Sequence, residues 1–186
     1  MNATSHAEKD ARSRLMRLAG LLRWILLAVA AAIPAAALLI AVLAPQWVLQ
    51  RAGLAGLPLD LAAGDPWRLR AAIAVGAVPS LVLIWGLARL STLFRRVAEG
   101  EVFSEPGARA LRDFAVAVLA HAALAPPAHT AVVLVLTLAN PPGQRQLAIA
   151  LGSDDVAGVV IGLVFLAVAW ILREGRRIAD ENALMI

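Results

Sequence analysis

The residues that could support chemistry in this chain's apolar stretches are His121, His129, Thr130 and Thr137, which all lie between residues 114 and 139. Ionisable groups inside a membrane often mark proton or ion paths, so His121, His129 and Thr130 form a candidate intramembrane polar site. The two histidines are about 12 Å apart along a helix, whereas metal–nitrogen bonds are about 2 Å long. We therefore predict no metal site and no cofactor.

The same stretch supports a structural interpretation. Pro126 and Pro127 lack amide hydrogens, so the carbonyls of Ala122 and Ala123 lose their helical donors. In hydrocarbon, such carbonyls need neighbouring polar side chains or water. The pattern favours structural satisfaction of a kinked helix, and a proton or cation path is the alternative.

The sequence shows no recognisable catalytic motif. Ser80, Ser91 and Ser104 have no histidine and aspartate at triad spacing, and the chain contains no cysteine. Glu174 and Glu181 could form a pair of carboxylates, but the arginines around them favour a solvated salt-bridge face. We predict that the protein is not an enzyme.

Four long apolar runs must position these residues. The chain has 186 residues, of which 61% are hydrophobic and 16% are charged, whereas soluble domains are about half apolar and a quarter charged. The runs predict spans at about 24–44, 71–88, 114–139 and 156–172, each near the length that crosses about 30 Å of hydrocarbon. The expected fold is all-α, a polytopic four-transmembrane-helix bundle.

The arginines between the runs predict the topology. Five cations lie in the N-terminal tail (1–23), five in the middle loop (89–113) and three in the C-terminal segment (173–186), against four in the other two loops. Because cytoplasmic loops carry the excess of Lys and Arg, both termini and the middle loop are expected in the cytoplasm.

Tryptophans near the span ends agree with this topology. Trp24, Trp85 and Trp170 fall at the predicted inner ends, and Trp47 and Trp67 fall at the outer ends. The abundance of alanine and arginine is typical of GC-rich bacterial genomes, so we expect a multi-pass protein of the bacterial inner membrane. The basic residues are scattered among acids, which argues against direct nucleic-acid binding.

The middle loop has the pattern of an amphipathic helix followed by a turn. Apolar residues at 90, 93, 94 and 97 follow helical spacing. Gly100 is a candidate C-terminal cap, and Ser104 is a candidate N-cap for the helix that carries Leu111 and Arg112 into the third span.

The C-terminal segment is expected to extend the fourth span as a helix. Glu174, Arg177, Ile178 and Glu181 share one face, and Arg177 can pair with both glutamates. Asn182 is a candidate cap, and the apolar residues 183–186 are expected to pack on Val102 and Phe103. The alternative is a frayed end resting on lipid.

Small residues in the fourth span indicate close helix packing. Gly158 and Gly162 form a GxxxG pattern, which lets helices approach closely in lipid. Packing within the bundle is favoured, and a homo-oligomer through this face is the alternative.

Two segments, LFRRVAEGEVFSEPGARALR and REGRRIADENALMI, resemble the signatures of a bacterial four-span family known as domain of unknown function 2975. The matching residues are Gly100, Phe103, Ser104, Leu111 and Arg112 in the loop, and Glu174, Gly175, Ile178, Glu181, Asn182, Leu184 and Ile186 in the tail. Glu105-Pro106-Gly107 stands where the family pattern has a Pro-Glu-Asn run. The resemblance implies no particular activity, and it implies a small helix-turn-helix regulator as a candidate partner.

Taken together, these patterns predict a non-enzymatic interaction or regulatory protein of the membrane. The patterned charged residues of the middle loop and the C-terminal segment would dock a cytoplasmic partner such as a small transcription regulator. The alternative is a small transporter or channel component that uses the third span.

Overall fold

The computed structural model describes residues 2–43, 66–101, 104–138 and 152–183. They form four helices, α1 (Asn2–Leu43), α2 (Pro66–Ala98), α3 (Glu105–Thr137) and α4 (Ser153–Ala183). Each contains a segment long and apolar enough to cross a membrane. The shortest of these segments has 26 residues, which is about 39 Å of helix against about 30 Å of hydrocarbon. The predictions of an all-helical chain and of four helices suited to membrane crossing are confirmed.

The helices extend beyond the predicted spans. The amphipathic segment 90–97 is continuous with α2 as its last two turns, since neither glycine nor proline interrupts the chain there. Likewise α4 continues through the arginines at 173–177 to Ala183, which confirms the helical C-terminal extension. α3 runs from Glu105 to Thr137 through both prolines. Charged residues therefore lie on the same rigid helices as the apolar segments.

The helix backbones pack in chain order, with α1 against α2, α2 against α3, and α3 against α4. α3 therefore lies between two neighbours, and it supplies most of the buried core. That core is a cluster of Leu90, Leu111, Phe114, Val118 and Ala169. Large apolar side chains on the outer helices are exposed, including Leu38 and Val164, as expected where hydrocarbon replaces water.

The turn between α2 and α3 follows the predicted capping pattern. Gly100 has φ 89°, its amide donates to the carbonyl of Val97, and the amide of Glu101 donates to the carbonyl of Arg96. This is the Schellman arrangement, which satisfies the last carbonyls of a helix. Ser104 begins α3 by accepting a hydrogen bond from the amide of Gly107 at 3.3 Å. Both predicted caps are confirmed.

Replacing Gly100 with alanine should destabilise the protein by about 1–2 kcal/mol, because an L-residue pays that much in the left-handed conformation. Thermal unfolding in detergent measures the loss. Gly175→Ala is the matched control, since a Cβ there meets no atom of the described residues within 4 Å and helix propensity favours alanine by about 1 kcal/mol. Equal melting temperatures for the two variants would contradict the assigned role of Gly100.

Candidate functional site

Charged side chains gather where α2 ends, α3 begins and α4 ends. We call residues 89–101, 104–113 and 173–183 the charged end. Arg89 joins α2 to α3 through the carboxylate of Asp113, with Nε to Oδ2 at 2.8 Å. Arg176 joins α4 to α3 through Glu105 at 3.9 Å. Each exposed pair contributes less than about 1 kcal/mol, so the pairs favour one arrangement of the three helix ends and supply little of the protein's stability.

Further pairs lie within single segments of the charged end. Arg177 contacts Glu174 at 2.7 Å and Glu181 at 3.6 Å, which confirms the pairing predicted from helical spacing. Arg96 contacts Glu101 at 3.1 Å and so braces the turn that follows α2. The result is an exposed surface of alternating charge on a helical scaffold. Such a surface can bind a partner by complementary charge.

The family-signature residues fall into structural and exposed groups. Gly100 and Ser104 cap helices, and Leu111 is buried in the core. Arg112, Gly175 and Ile178 are exposed. Phe103, Leu184, Ile186 and the side chain of Asn182 lie outside the described residues, as does the predicted packing of residues 183–186 on Val102 and Phe103.

His121 of the candidate intramembrane site reaches a neighbouring helix. Its Nδ1 lies 2.9 Å from the carbonyl oxygen of Pro79 in α2. Because a carbonyl only accepts, Nδ1 carries the proton in this contact. The imidazole ring therefore links α3 to α2 at Pro79. The sequence pattern had instead suggested that polar side chains of this stretch bond to the carbonyls freed by Pro126 and Pro127.

His129 is placed differently from His121. Its Nδ1 is buried and has no hydrogen-bond partner in the described structure. Thr130 donates to the carbonyl of Pro126 at 3.0 Å, and Thr137 donates to that of Val133 at 2.8 Å, both within α3. Among the described residues, no group of three or more His, Cys, Asp or Glu side chains could hold a metal ion.

The GxxxG pattern of α4 faces α3. A Cβ on Gly158 would lie 3.2 Å from the Cβ of Ala122, and one on Gly162 would lie 2.7 Å from Cγ of Leu119. These distances show two helices in close approach within one chain, as small residues permit.

Gly162→Ala should lower the free energy of unfolding by about 1–3 kcal/mol, the usual cost of an overpacked core. Leu119 obstructs the new methyl group with its side chain and, at 3.3 Å, with its backbone nitrogen. Adding Leu119→Ala should remove the side-chain part of this clash. The free energy of unfolding in detergent is measured for the single and double variants. If the loss in the double variant equals the sum of the losses in the two single variants, the predicted contact is contradicted.

Sequence reasoning missed three features of the site. Asp113 was not singled out as the partner of Arg89, although both flank consecutive spans. Pro79 was not recognised as the acceptor for His121. Gly86 packs at the α2–α3 contact, and an isolated glycine gives no sign of its partner.

Comparison with known families extends this description. A family model, "Protein of unknown function (DUF2975)", matches residues 58–186, more than half of the chain. The chain belongs to the DUF2975 family. The DUF2975 match covers α2, α3 and α4, and therefore the whole charged end, and it confirms the resemblance drawn from the two signature segments. Comparisons with curated proteins and with solved structures give no match.

Proposed function

We propose that this DUF2975 protein is a non-enzymatic interaction protein of the bacterial inner membrane whose charged end docks a cytoplasmic partner. The observation that supports the proposal is the cross-bracing of three helix ends by Arg89–Asp113 and Arg176–Glu105. Such bracing presents an exposed surface that is already ordered. A preordered surface loses less side-chain and loop entropy when a partner binds.

The composition of the charged end also fits a docking surface. Ile178 is half exposed, beside the ion pairs of Arg177 with Glu174 and Glu181. An apolar side chain within a polar rim is the usual layout of a protein interface. Arg95 and Glu99 are exposed at the end of α2 and extend the surface.

The distribution of charge supports the proposed side of the membrane. Thirteen of the 17 Lys and Arg residues lie in the two terminal segments and the middle loop, and the positive-inside rule favours a cytoplasmic location for segments of this kind. A soluble cytoplasmic protein such as a small helix-turn-helix regulator is then the proposed partner.

Site-specific photo-crosslinking in cells tests the docking. A photoreactive amino acid at Glu99 or Ile178 should crosslink the same soluble protein, identified by mass spectrometry. The same group at Val164, on the exposed apolar face, or at Asp154, at the opposite end of α4, should not. Identical adducts from all four positions, or no protein adduct at the charged end, would refute the proposal.

A binding assay with the crosslinked protein in purified form completes the test. Arg95→Glu should weaken binding, because it reverses an exposed charge while leaving the bracing pairs intact. Binding that does not change with this variant or with salt concentration would show that charge complementarity is not how the partner is recognised.

One observation favours a second candidate function, a small transporter or channel component. The Nδ1 atom of His129 is buried and has no hydrogen-bond partner among the described residues. A buried polar group left in this way is costly, and a functional role is one explanation for keeping it. In this candidate His129 exchanges protons along α3. His121 instead holds α3 to Pro79.

Proton flux in liposomes tests the transport candidate. His129→Ala should abolish flux at unchanged thermal stability. His121→Ala should lower stability by about 1 kcal/mol, the range of interhelical hydrogen bonds in membranes. No flux through the unmodified protein, or equal flux through the His129 variant, would remove this candidate.

A further inference from the structure

A groove between α3 and α4 combines arginines with an apolar floor. It encloses about 590 Å³, and its polar wall contains Glu105, Arg109, Arg112 and Arg173. Its floor contains Leu163, Leu166 and Trp170. Polar wall and apolar floor lie end to end along the two helices, so the groove is amphiphilic in the direction in which the helices would cross a bilayer.

Charge in the groove is unbalanced. The carboxylate of Glu105 lies 3.7 Å from the guanidinium of Arg109 and 3.9 Å from that of Arg176, so two cations already share it. Arg112 and Arg173 are exposed and have no ion pair among the described residues. Guanidinium groups bind phosphate oxygens through paired N–H donors. Among the described residues, the polar wall therefore has a carboxylate for Arg109 and none for Arg112 or Arg173.

The dimensions of the floor match one lipid leaflet. Leu163 and Arg173 are ten residues apart on α4, which is about 15 Å of helix and about half of the hydrocarbon thickness. Trp170 is 75% exposed and lies between Leu166 and Arg173 along α4, and indole rings favour the membrane interface.

We propose that this groove is a binding site for one anionic phospholipid. Its phosphate contacts Arg112 and Arg173, and one acyl chain lies along Leu163, Leu166 and Trp170. A free phosphate ion would satisfy the arginines and leave the floor empty, so the length and polarity of the groove favour the lipid. A lipid seated there would place its phosphate within the charged end and fill the space between α3 and α4 with one acyl chain.

Quenching of Trp170 fluorescence tests the proposal. The probe protein keeps Trp170 and carries phenylalanine at positions 24, 47, 67 and 85. It is reconstituted in phosphatidylcholine vesicles that contain brominated phosphatidylglycerol or, in parallel, brominated phosphatidylcholine. The groove should prefer phosphatidylglycerol by about 25-fold, since each of its two arginines should attract an anionic lipid by about five-fold near a membrane surface.

Matched variants separate the groove from general surface charge. R112Q/R173Q should reduce the preference to within about two-fold, given the same five-fold factor per arginine. R14Q/R17Q removes two other exposed arginines and should retain the preference. Equal quenching by the two lipids, or equal loss in both double variants, would overturn the proposal.

Two further arms keep the test decisive. Inorganic phosphate at constant ionic strength should neither relieve the quenching nor stabilise the protein in phosphatidylcholine. If phosphate alone stabilises the protein, and this stabilisation depends on Arg112 and Arg173, the groove binds a free oxyanion. That result would refute the proposed lipid site. If the probe protein does not fold, thermal unfolding of the natural sequence in nanodiscs with and without phosphatidylglycerol replaces it, with the same two double variants. No arginine-dependent gain in melting temperature would then refute the site.

Discussion

Replacing Gly86 with alanine is expected to destabilise the protein by about 1–3 kcal/mol, and valine there by more, because the α2–α3 contact has no room for a side chain. A Cβ at Gly86 would lie 2.5 Å from the Cβ of Ala117 and 3.5 Å from the ring of Phe114. The Cβ of Ala117 moves only with its backbone, so the two helices must separate. Thermal or denaturant unfolding in detergent measures the loss.

A compensating variant makes this prediction specific. Ala117→Gly removes the obstructing methyl group, and G86A/A117G should recover most of the stability lost in G86A, apart from about 1 kcal/mol of helix propensity at the new glycine. Gly20→Ala is the control, because a Cβ there has no neighbour within 4 Å in the part of the chain that the structure describes. A strictly additive double variant would show that the two positions do not touch.

Phe114→Ala is expected to cost about 3–5 kcal/mol, the usual loss when a buried aromatic ring is truncated. The ring is 8% exposed and belongs to the central cluster with Leu90 and Val118. It also meets Phe165 of α4 edge to face, with centroids 5.2 Å apart. Its loss would leave a cavity where α2, α3 and α4 meet.

Two measurements check the role of Phe114. Val116→Ala, an exposed position two residues away on α3, should change stability far less. A double-variant cycle with Phe165→Ala should give a coupling of about 0.5–1.5 kcal/mol, as for other aromatic pairs. Similar losses for Phe114→Ala and Val116→Ala would mean that the cluster does not hold the helices together.

Local signals were read correctly from the chain because their partners lie within five residues along it. The caps at Gly100 and Ser104 consist of hydrogen bonds between residues three to five apart. The pairs of Arg177 with Glu174 and Glu181 follow from positions three and four residues apart on a helix. Such contacts depend on the local helix and not on which other helix packs against it.

Contacts between distant residues could not be read in this way. His121 and Pro79 are 42 residues apart, and Arg89 and Asp113 are 24 apart. The groove between α3 and α4 likewise depends on how two separate helices lie side by side. In a membrane helix, the side facing lipid and the side facing protein are both apolar, so hydrophobic periodicity does not distinguish them.

The sequence by itself indicated a membrane environment and four long helices. Backbone groups in hydrocarbon must form hydrogen bonds within their own segment, so long apolar runs form helices. Only the tertiary structure decided which faces meet. It placed α3 between α2 and α4, brought Gly86 against Ala117, and left Arg112 and Arg173 beside an apolar groove. The physical reason is that close packing depends on how the surface shapes of two helices fit together. The sequence of one helix specifies the shape of that helix's surface and not the shape of its partner's.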